Sequence, residues 1–264
     1  MLLAVLIPVY NEARLGPRAI ERLLATPEPM IPITTDDPRQ PTGHAPVTRR
    51  LYIVDDGSTD GTLAAIERAT AGEHAQHIRL FKHPVNRGKG AAVRTALAAA
   101  LADGADAFLI QDADLEYDPR DHQRLLDPML DGRADAVIGS RFMGDAHRVL
   151  YYWHYVANRF ITTASNMCTN LNLSDIECCL KAFTREVAEQ LKLEEERFGI
   201  EPELVAKIAR AKVKRRDLDN TKAAARIFEV AVTYCGRTYA EGKKITWHDG
   251  LDALRCIVTH NLLR

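Results

Sequence analysis

What this chain lacks narrows its class before any motif is read. No apolar run approaches the roughly 20 residues a membrane-spanning helix needs, so no spanning segment is expected. Neither sign of charge dominates: 35 Lys and Arg face 36 Asp and Glu in 264 residues. A nucleic-acid binder held by bulk charge would be strongly basic, so that class is set aside. The cysteines number five, an odd count without zinc-finger spacing; reduced thiols in a cytosolic protein are the expectation. Met1 leads straight into apolar residues, with no basic leader or cleavage site, so no secretory signal is expected. A glycine-rich phosphate loop near the N-terminus is also missing, which argues against a nucleotidyltransferase. The length suffices for one large or two small domains with a substantial core.

What is present is a series of apolar runs, each ending in polar residues. Ala107-Phe108-Leu109-Ile110 ends in Gln111-Asp112-Ala113-Asp114-Leu115-Glu116, and Leu2 to Pro8 ends in Val9-Tyr10-Asn11-Glu12. Leu51 to Val54 leads into Asp55-Asp56-Gly57-Ser58-Thr59-Asp60, and Ile78 to Phe81 into Asn86-Arg87-Gly88-Lys89-Gly90 and an Ala-rich helix. Ala134 to Ile138 ends in Gly139-Ser140-Arg141. Strands alternating with helices predict a doubly wound, mostly parallel sheet, and ligands of such sheets bind beyond the strands' carboxyl ends. Asp112, Asp114 and Glu116 alternate, so an extended backbone would aim all three carboxylates one way. Clustered carboxylates repel unless a hard cation neutralises them, so these three are the candidate ligands of Mg²⁺ or Mn²⁺.

In this order, these segments resemble the family 2 glycosyltransferases of GT-A type, and among them the dolichyl- or polyprenyl-phosphate mannose or glucose synthases. Asp175-Ile176-Glu177-Cys178-Cys179-Leu180-Lys181 is similar to the family's acceptor-side Asp-x-x-x-Gly-Phe-Lys segment. Tyr234 to Ile245 resembles a C-terminal segment of a bacterial branch. The resemblance implies a GT-A, Rossmann-like α/β fold: a mostly parallel sheet flanked by helices, with a C-terminal acceptor-side α+β extension. It also implies a metal-dependent, inverting transfer of a hexose from GDP-mannose or UDP-glucose to a polyprenyl phosphate. The runner-up is the same donor chemistry on a soluble acceptor, either a phosphorylated small molecule, a glycan or a peptide.

Each part of a nucleotide sugar wants different partners. Tyr10 could stack on the base, with Pro8 and Glu12 shaping its pocket. By resemblance, Asp55 or Asp56 accepts a hydrogen from the base, while Asp60 reads as a helix cap. Arg87 and Lys89 are placed to counter phosphate charge, with Gly88 and Gly90 allowing close backbone approach. Asp112 is expected to contact ribose or metal, and Asp114 with Glu116 to complete the metal shell; Glu116 stands where many relatives have Gln. Arg141 is expected at the diphosphate or acceptor phosphate, and Arg237, Lys243 and Lys244 either at the leaving diphosphate or on a solvated face. A lipid phosphate needs no general base, whereas a hydroxyl or thiol does; Asp175 and Glu177 are the candidates for that base. Cys178-Cys179 replaces the family's Cys-Gly, which alters the backbone freedom there.

Residues 1–142 read as the nucleotide-sugar half, interrupted by a proline-dense surface loop at 26–50, and residues 143–264 as the acceptor half. Residues 143–150 read as a connector able to close over the site. A helix over 151–171 opens on four aromatics, Tyr151, Tyr152, Trp153 and Tyr155. Core packing is the first expectation for them, a shelf for a lipid acceptor the second. Residues 201–211 carry helical spacing behind Pro202. Trp247, Leu251, Leu254, Val258 and Leu262 share one face of a last helix, expected to pack into the core with a membrane-lying face as the alternative. The protein is expected in the cytoplasm, with peripheral contact at the cytoplasmic membrane face; a homodimer stays open.

Overall fold

The computed structural model describes residues 1–33, 43–72, 74–144, 148–149, 151–215, 221–238, 241–242 and 247–263. In chain order the elements are β1 (Leu2–Val9), α1 (Gly16–Ala25), β2 (Met30–Ile33), β3 (Gly43–Pro46), β4 (Thr48–Asp55), α2 (Thr62–Ala69) and β5 (Ile78–Lys82). There follow α3 (Lys89–Ala102), β6 (Ala107–Ile110), α4 (Asp121–Leu130), β7 (Ala136–Ser140), α5 (Tyr152–Thr169), β8 (Lys181–Thr184) and α6 (Arg185–Ala188). The chain ends with α7 (Ile200–Arg210), β9 (Lys212–Arg215), β10 (Thr221–Ala224), β11 (Ile227–Ala231) and α8 (Trp247–Leu262).

Seven strands form one sheet in the order β11-β7-β8-β6-β1-β4-β5. All pairings are parallel except those of β8, which runs antiparallel between β6 and β7. Central strands buried on both faces read as continuous apolar runs, as in β1 and β6. The Ala-rich α3 lies against β1 and β4, its Ala92, Val93, Ala96 and Ala100 buried; methyl-sized side chains let the helix sit close to the sheet. Val9 of β1 lies level with Asp55 of β4, so the polar residues following the parallel strands open at one sheet edge. Two sheet strands, β8 and β11, come from beyond residue 142.

The structure corrects three expectations. The segment 26–50 is not merely a loop: β2 and β3 pair antiparallel, Met30 opposite Pro46 and Ile33 opposite Gly43, and β4 begins at Thr48. In a two-stranded ribbon every position is an edge, so prolines are tolerated where a central strand would exclude them. Residues 34–42 fall outside the described residues. The aromatic start of α5 does not turn into the core, since Trp153 is 76% exposed and Tyr152 and Phe160 are exposed with it. The last helix buries the expected stripe only in part: Leu254 packs against the second core, while the side chain of Trp247 lies outside the described residues. Ala253 and Ile257 pack with Ile161 and Val205 in a second core, Cys256 and His260 are buried beside them, and Leu251, Val258 and Leu262 face solvent. The buried face packs against α5 and α7.

Candidate active site

The Asp-x-Asp segment is not extended. β6 stops at Ile110, Leu115 adopts a left-handed φ of 63°, and Asp114 Oδ1 accepts the Glu116 N–H at 3.1 Å. That side-chain bond turns the backbone back on itself and sends the carboxylates two ways. Asp114 and Glu116 meet the guanidinium of Arg237, each at 3.0 Å, and Glu12 from the end of β1 meets its third nitrogen at 3.0 Å. The segment bearing Arg237 is pinned by Tyr234, which bridges to Tyr117 and donates its hydroxyl to Glu116 at 2.9 Å. Burial, then the nearby charges of Asp112 and Glu116, push the Asp114 carboxyl up to about 7 even with Arg237 beside it.

Asp112 turns to Lys89, whose ammonium lies 2.9 Å from it and 2.8 Å from Glu201. Burial works against the charge on Lys89, yet Asp112 and Glu201 help hold its pKa well above the ordinary value. Glu201 also pairs with Lys181, which is wholly buried. Lys89 therefore sits between two carboxylates at the mouth of the site. Arg87 stands apart, nearly half exposed and 3.7 Å from Glu196. The glycines flanking Lys89 are required by the chain itself: a Cβ on Gly88 or Gly90 would lie 2.3 or 2.2 Å from the carbonyl oxygens of Glu196 and Glu195.

The two aspartates after β4 divide their work. Asp56 binds His83 Nδ1 at 2.6 Å and accepts the backbone N–H groups of Arg87 and Gly88, so it shapes the turn before α3. Asp55 accepts Ser58 N–H through Oδ2, while its buried Oδ1 has no partner among the described residues. Of the pair, Asp55 keeps an acceptor free for a ligand N–H. Tyr10 is partly exposed beside them at the end of β1, just beyond Pro8.

On the other side, Arg141 follows β7 and makes a two-pronged pair with Asp175, at 2.7 and 2.8 Å. Asp175 is fully buried and also accepts Asn158 from α5; desolvation opposes its charge, but Arg141 outweighs it and holds the carboxyl below the usual range. Glu229 of β11 props this turn by accepting the N–H groups of Ser174 and Asp175. Arg141 lies over the ring of Tyr234, 5.2 Å from its centroid, which links the two groups of charges. Glu177 differs from Asp175: burial, then the Glu201 charge, push its carboxyl up to about 7, and its Oε1 is buried without a partner among the described residues.

The structure thus gathers Glu12, Lys89, Asp112, Asp114, Glu116 and Arg237 at the sheet edge, and Arg141, Asp175 and Glu177 next to them. Lys243 and Lys244 lie outside the described residues. Sequence reasoning gave no role to Glu201, Lys181, Tyr234 or Glu229. Glu201 and Glu203 read only as part of the helical spacing over 201–211, and their near-complete burial was the missing signal.

A model of the family "Glycosyl transferase family 2" matches residues 4–192. Among curated proteins, the chain is 33% identical over 164 residues to glycosyltransferase AglJ of Haloferax volcanii, covering 62% of this chain and 50% of that one. It is 31% identical over 191 residues to the polyprenol monophosphomannose synthase of Mycolicibacterium smegmatis, covering 72% and 64%. It spans about half to just under two thirds of the length of these relatives. Among solved structures, glucosyl-3-phosphoglycerate synthase from Mycobacterium tuberculosis, in complex with Mn²⁺, UDP and glucosyl-3-phosphoglycerate, superposes with a TM-score of 0.63 at 17% identity. That alignment covers 98% of this chain and 80% of the other, and shows a shared fold. No helix among the described residues is long and apolar enough to cross a membrane.

Proposed function

This chain belongs to glycosyl transferase family 2; from that premise we propose that it is a glycosyltransferase that moves a hexose from a nucleoside-diphosphate sugar to a polyprenyl phosphate, with inversion. The observation that carries the donor side is the cluster of Glu12, Asp114 and Glu116 around one guanidinium. Three carboxylates offset by a single positive charge leave room for a divalent ion, and the all-oxygen donor set suits Mg²⁺ or Mn²⁺. Asp114 and Glu116 would hold it, with Asp112 beside them on Lys89. When bound, such an ion supplies charge neutralisation for the departing nucleoside diphosphate. Arg237, released from its carboxylates, turns its guanidinium to the diphosphate, where bidentate geometry favours it. Lys89 keeps Asp112 in place, Asp55 Oδ1 accepts a base N–H, and Arg141, aligned by Asp175, meets the attacking phosphate.

Two features favour a lipid acceptor. Relatives whose names specify polyprenol or undecaprenyl phosphate align over most of the chain. The exposed face of α5 combines Tyr152, Trp153, Phe160 and Met167 with the single cation Arg159, a composition suited to a headgroup boundary near an anionic phosphate. The protein would then work peripherally at the cytoplasmic membrane face.

A second reading rests on Glu177. A carboxyl near pH 7 with an idle oxygen is what a general base for a hydroxyl acceptor requires. One experiment separates them: transfer from GDP-mannose and UDP-glucose, with and without Mn²⁺, to a short polyprenyl phosphate in detergent, corrected for hydrolysis. The lipid reading expects metal-dependent transfer that survives Glu177→Gln. Transfer only to soluble acceptors, abolished by Glu177→Gln, would install the second reading.

A further inference from the structure

Away from the cleft, a separate set of donor atoms meets where α8 packs on α7. Cys256 and His260 stand one turn apart on the buried face of α8, with 0% and 2% of their surface exposed. Glu195 reaches them from the loop before α7, and the three residues offer ligand atoms all within 4.8 Å of one another. His260 Nε2 is 3.0 Å from Glu195 Oε1 and 3.8 Å from Glu203 Oε1. Its Nδ1 is buried without a partner among the described residues, an uncommon condition for an interior imidazole.

The surroundings fix Glu195 for this contact. Arg255 takes its Oε2 at 2.7 Å, which leaves Oε1 to face the cluster. Glu203 is already engaged, by Lys207 at 2.6 Å and by the backbone N–H groups of Glu194 and Glu195, so it positions the loop carrying Glu195. A cavity of about 390 Å³, lined by Glu195, Asp252, Arg255 and Thr259 among others, opens on the Glu195 side of the cluster.

We propose that Cys256 Sγ, an imidazole nitrogen of His260 and Glu195 Oε1 bind a zinc-type divalent ion, with a water from the cavity in the fourth position. One sulfur, one nitrogen and one oxygen make a set that zinc takes readily, whereas Mg²⁺ and Mn²⁺ prefer oxygen alone. On binding, the Cys256 S–H bond breaks, its proton leaves to solvent, and the thiolate bonds to the metal. The thiol gives up its present contact with the Gly199 carbonyl at 3.0 Å. A divalent charge against one thiolate and one carboxylate leaves the ligand set neutral, with no buried excess. The ion fastens α8 to the 195–199 loop, whose carbonyls at Glu195 and Glu196 press on Gly90 and Gly88. It thereby steadies one wall of the donor cleft from outside, independently of the metal proposed for Asp114. Pairwise cysteine spacing gave no hint of it, because only one cysteine takes part and the carboxylate comes from a different element.

Cobalt titration of the chelator-stripped full chain tests this directly, because a thiolate bound to Co²⁺ gives a charge-transfer absorption that oxygen ligands do not. One equivalent should produce the band, Zn²⁺ should erase it, and Zn²⁺ alone should raise Tm. Cys256→Ser and His260→Gln should each weaken the band at least tenfold at fixed Co²⁺, while Asp114→Ala keeps it in full. A wild-type protein that shows no such band and no Zn²⁺ response in Tm would overturn the site. So would a band undiminished in Cys256→Ser, which would place the thiolate elsewhere.

Discussion

Two arginine–carboxylate assemblies flank the cleft, and they are built to opposite ends. Arg141 and Asp175 match one charge with one charge in a two-pronged pair, and the carboxyl is held below its usual range despite complete burial. Arg237 faces three carboxylates, and one of them, Asp114, is driven up to about 7 by burial and like charge. Neighbouring like charges about 4 Å apart cost on the order of 4 kcal/mol at an effective dielectric near 20, so one guanidinium cannot settle three. The balanced pair holds the Arg141 guanidinium in one fixed pose. The unbalanced one is the assembly proposed above to exchange its cation for ligand and metal.

The largest effect should come from the unbalanced side. Asp114→Ala removes the proposed central oxygen ligand and should lower kcat/KM about 10³-fold, equivalent to roughly 4 kcal/mol of transition-state stabilisation. Steady-state transfer across a Mn²⁺ series measures it. Wild-type turnover in the variant would mean that Arg237 and Lys89 neutralise the diphosphate without a metal, and the contrast between the assemblies would collapse.

The balanced side should fail through the fold. Asp175→Ala leaves Arg141 buried without its partner, which costs about 3–5 kcal/mol in other proteins. Glu12→Gln, by contrast, relieves repulsion around Arg237 and should leave stability unchanged or slightly raised in metal-free buffer. Chemical denaturation of both variants reads the difference. Equal losses in the two would show that Arg237 is as tightly balanced as Arg141.

How far the sequence disclosed this arrangement depended on the range of the contacts. The strand ends were legible because each apolar run stops at its own polar residues, and the GT-A-like parallel order follows from their alternation with helices. Asp112, Asp114 and Glu116 were found, but not their bend, because Asp114 capping the Glu116 N–H is a local bond that alternation does not encode. The link from Arg237 back to Glu12 joins the two ends of the chain and leaves no periodic trace. Glu201 showed in the sequence only as part of a helical spacing, and only its burial between Lys89 and Lys181 gives it a place in the site. On α8 the stripe of large residues suggested the buried face, but the contacts with α5 and α7 fall on Ala253, Cys256, Ile257 and His260, with Leu254 shared by both faces.

Glu177 sharpens the contrast through pH. Its folded carboxyl titrates at about 7 against an ordinary 4.5. The native state therefore binds the proton more tightly, and this group's contribution to stability is best below about pH 4.5 and declines up to pH 7, where it levels off. Glu177→Gln abolishes that decline, so its stability gain over wild type should grow from near zero at pH 4.5 to at most about 3 kcal/mol at pH 8. Denaturant midpoints of both proteins at these pH values test the sign. A gain that shrank as pH rose would mean the carboxylate is held charged, as in Asp175, and would remove the basis of the hydroxyl-acceptor reading.

The smallest effect belongs to the outer face of the acceptor side, where packing rather than charge is in question. Trp153 and Phe160 make no part of either arginine assembly, and both lie exposed on α5. If that face rests on a lipid surface, Trp153→Ser with Phe160→Ser should weaken sedimentation with anionic vesicles about tenfold, roughly 1.4 kcal/mol. Donor affinity, set at the sheet edge, should not move. KM for a short polyprenyl phosphate presented in vesicles should rise, while KM for the same acceptor in detergent micelles changes less, since micelles come to the protein without needing a flat face. Unaltered vesicle binding would detach the aromatic face from the lipid reading and leave only the relatives in its favour.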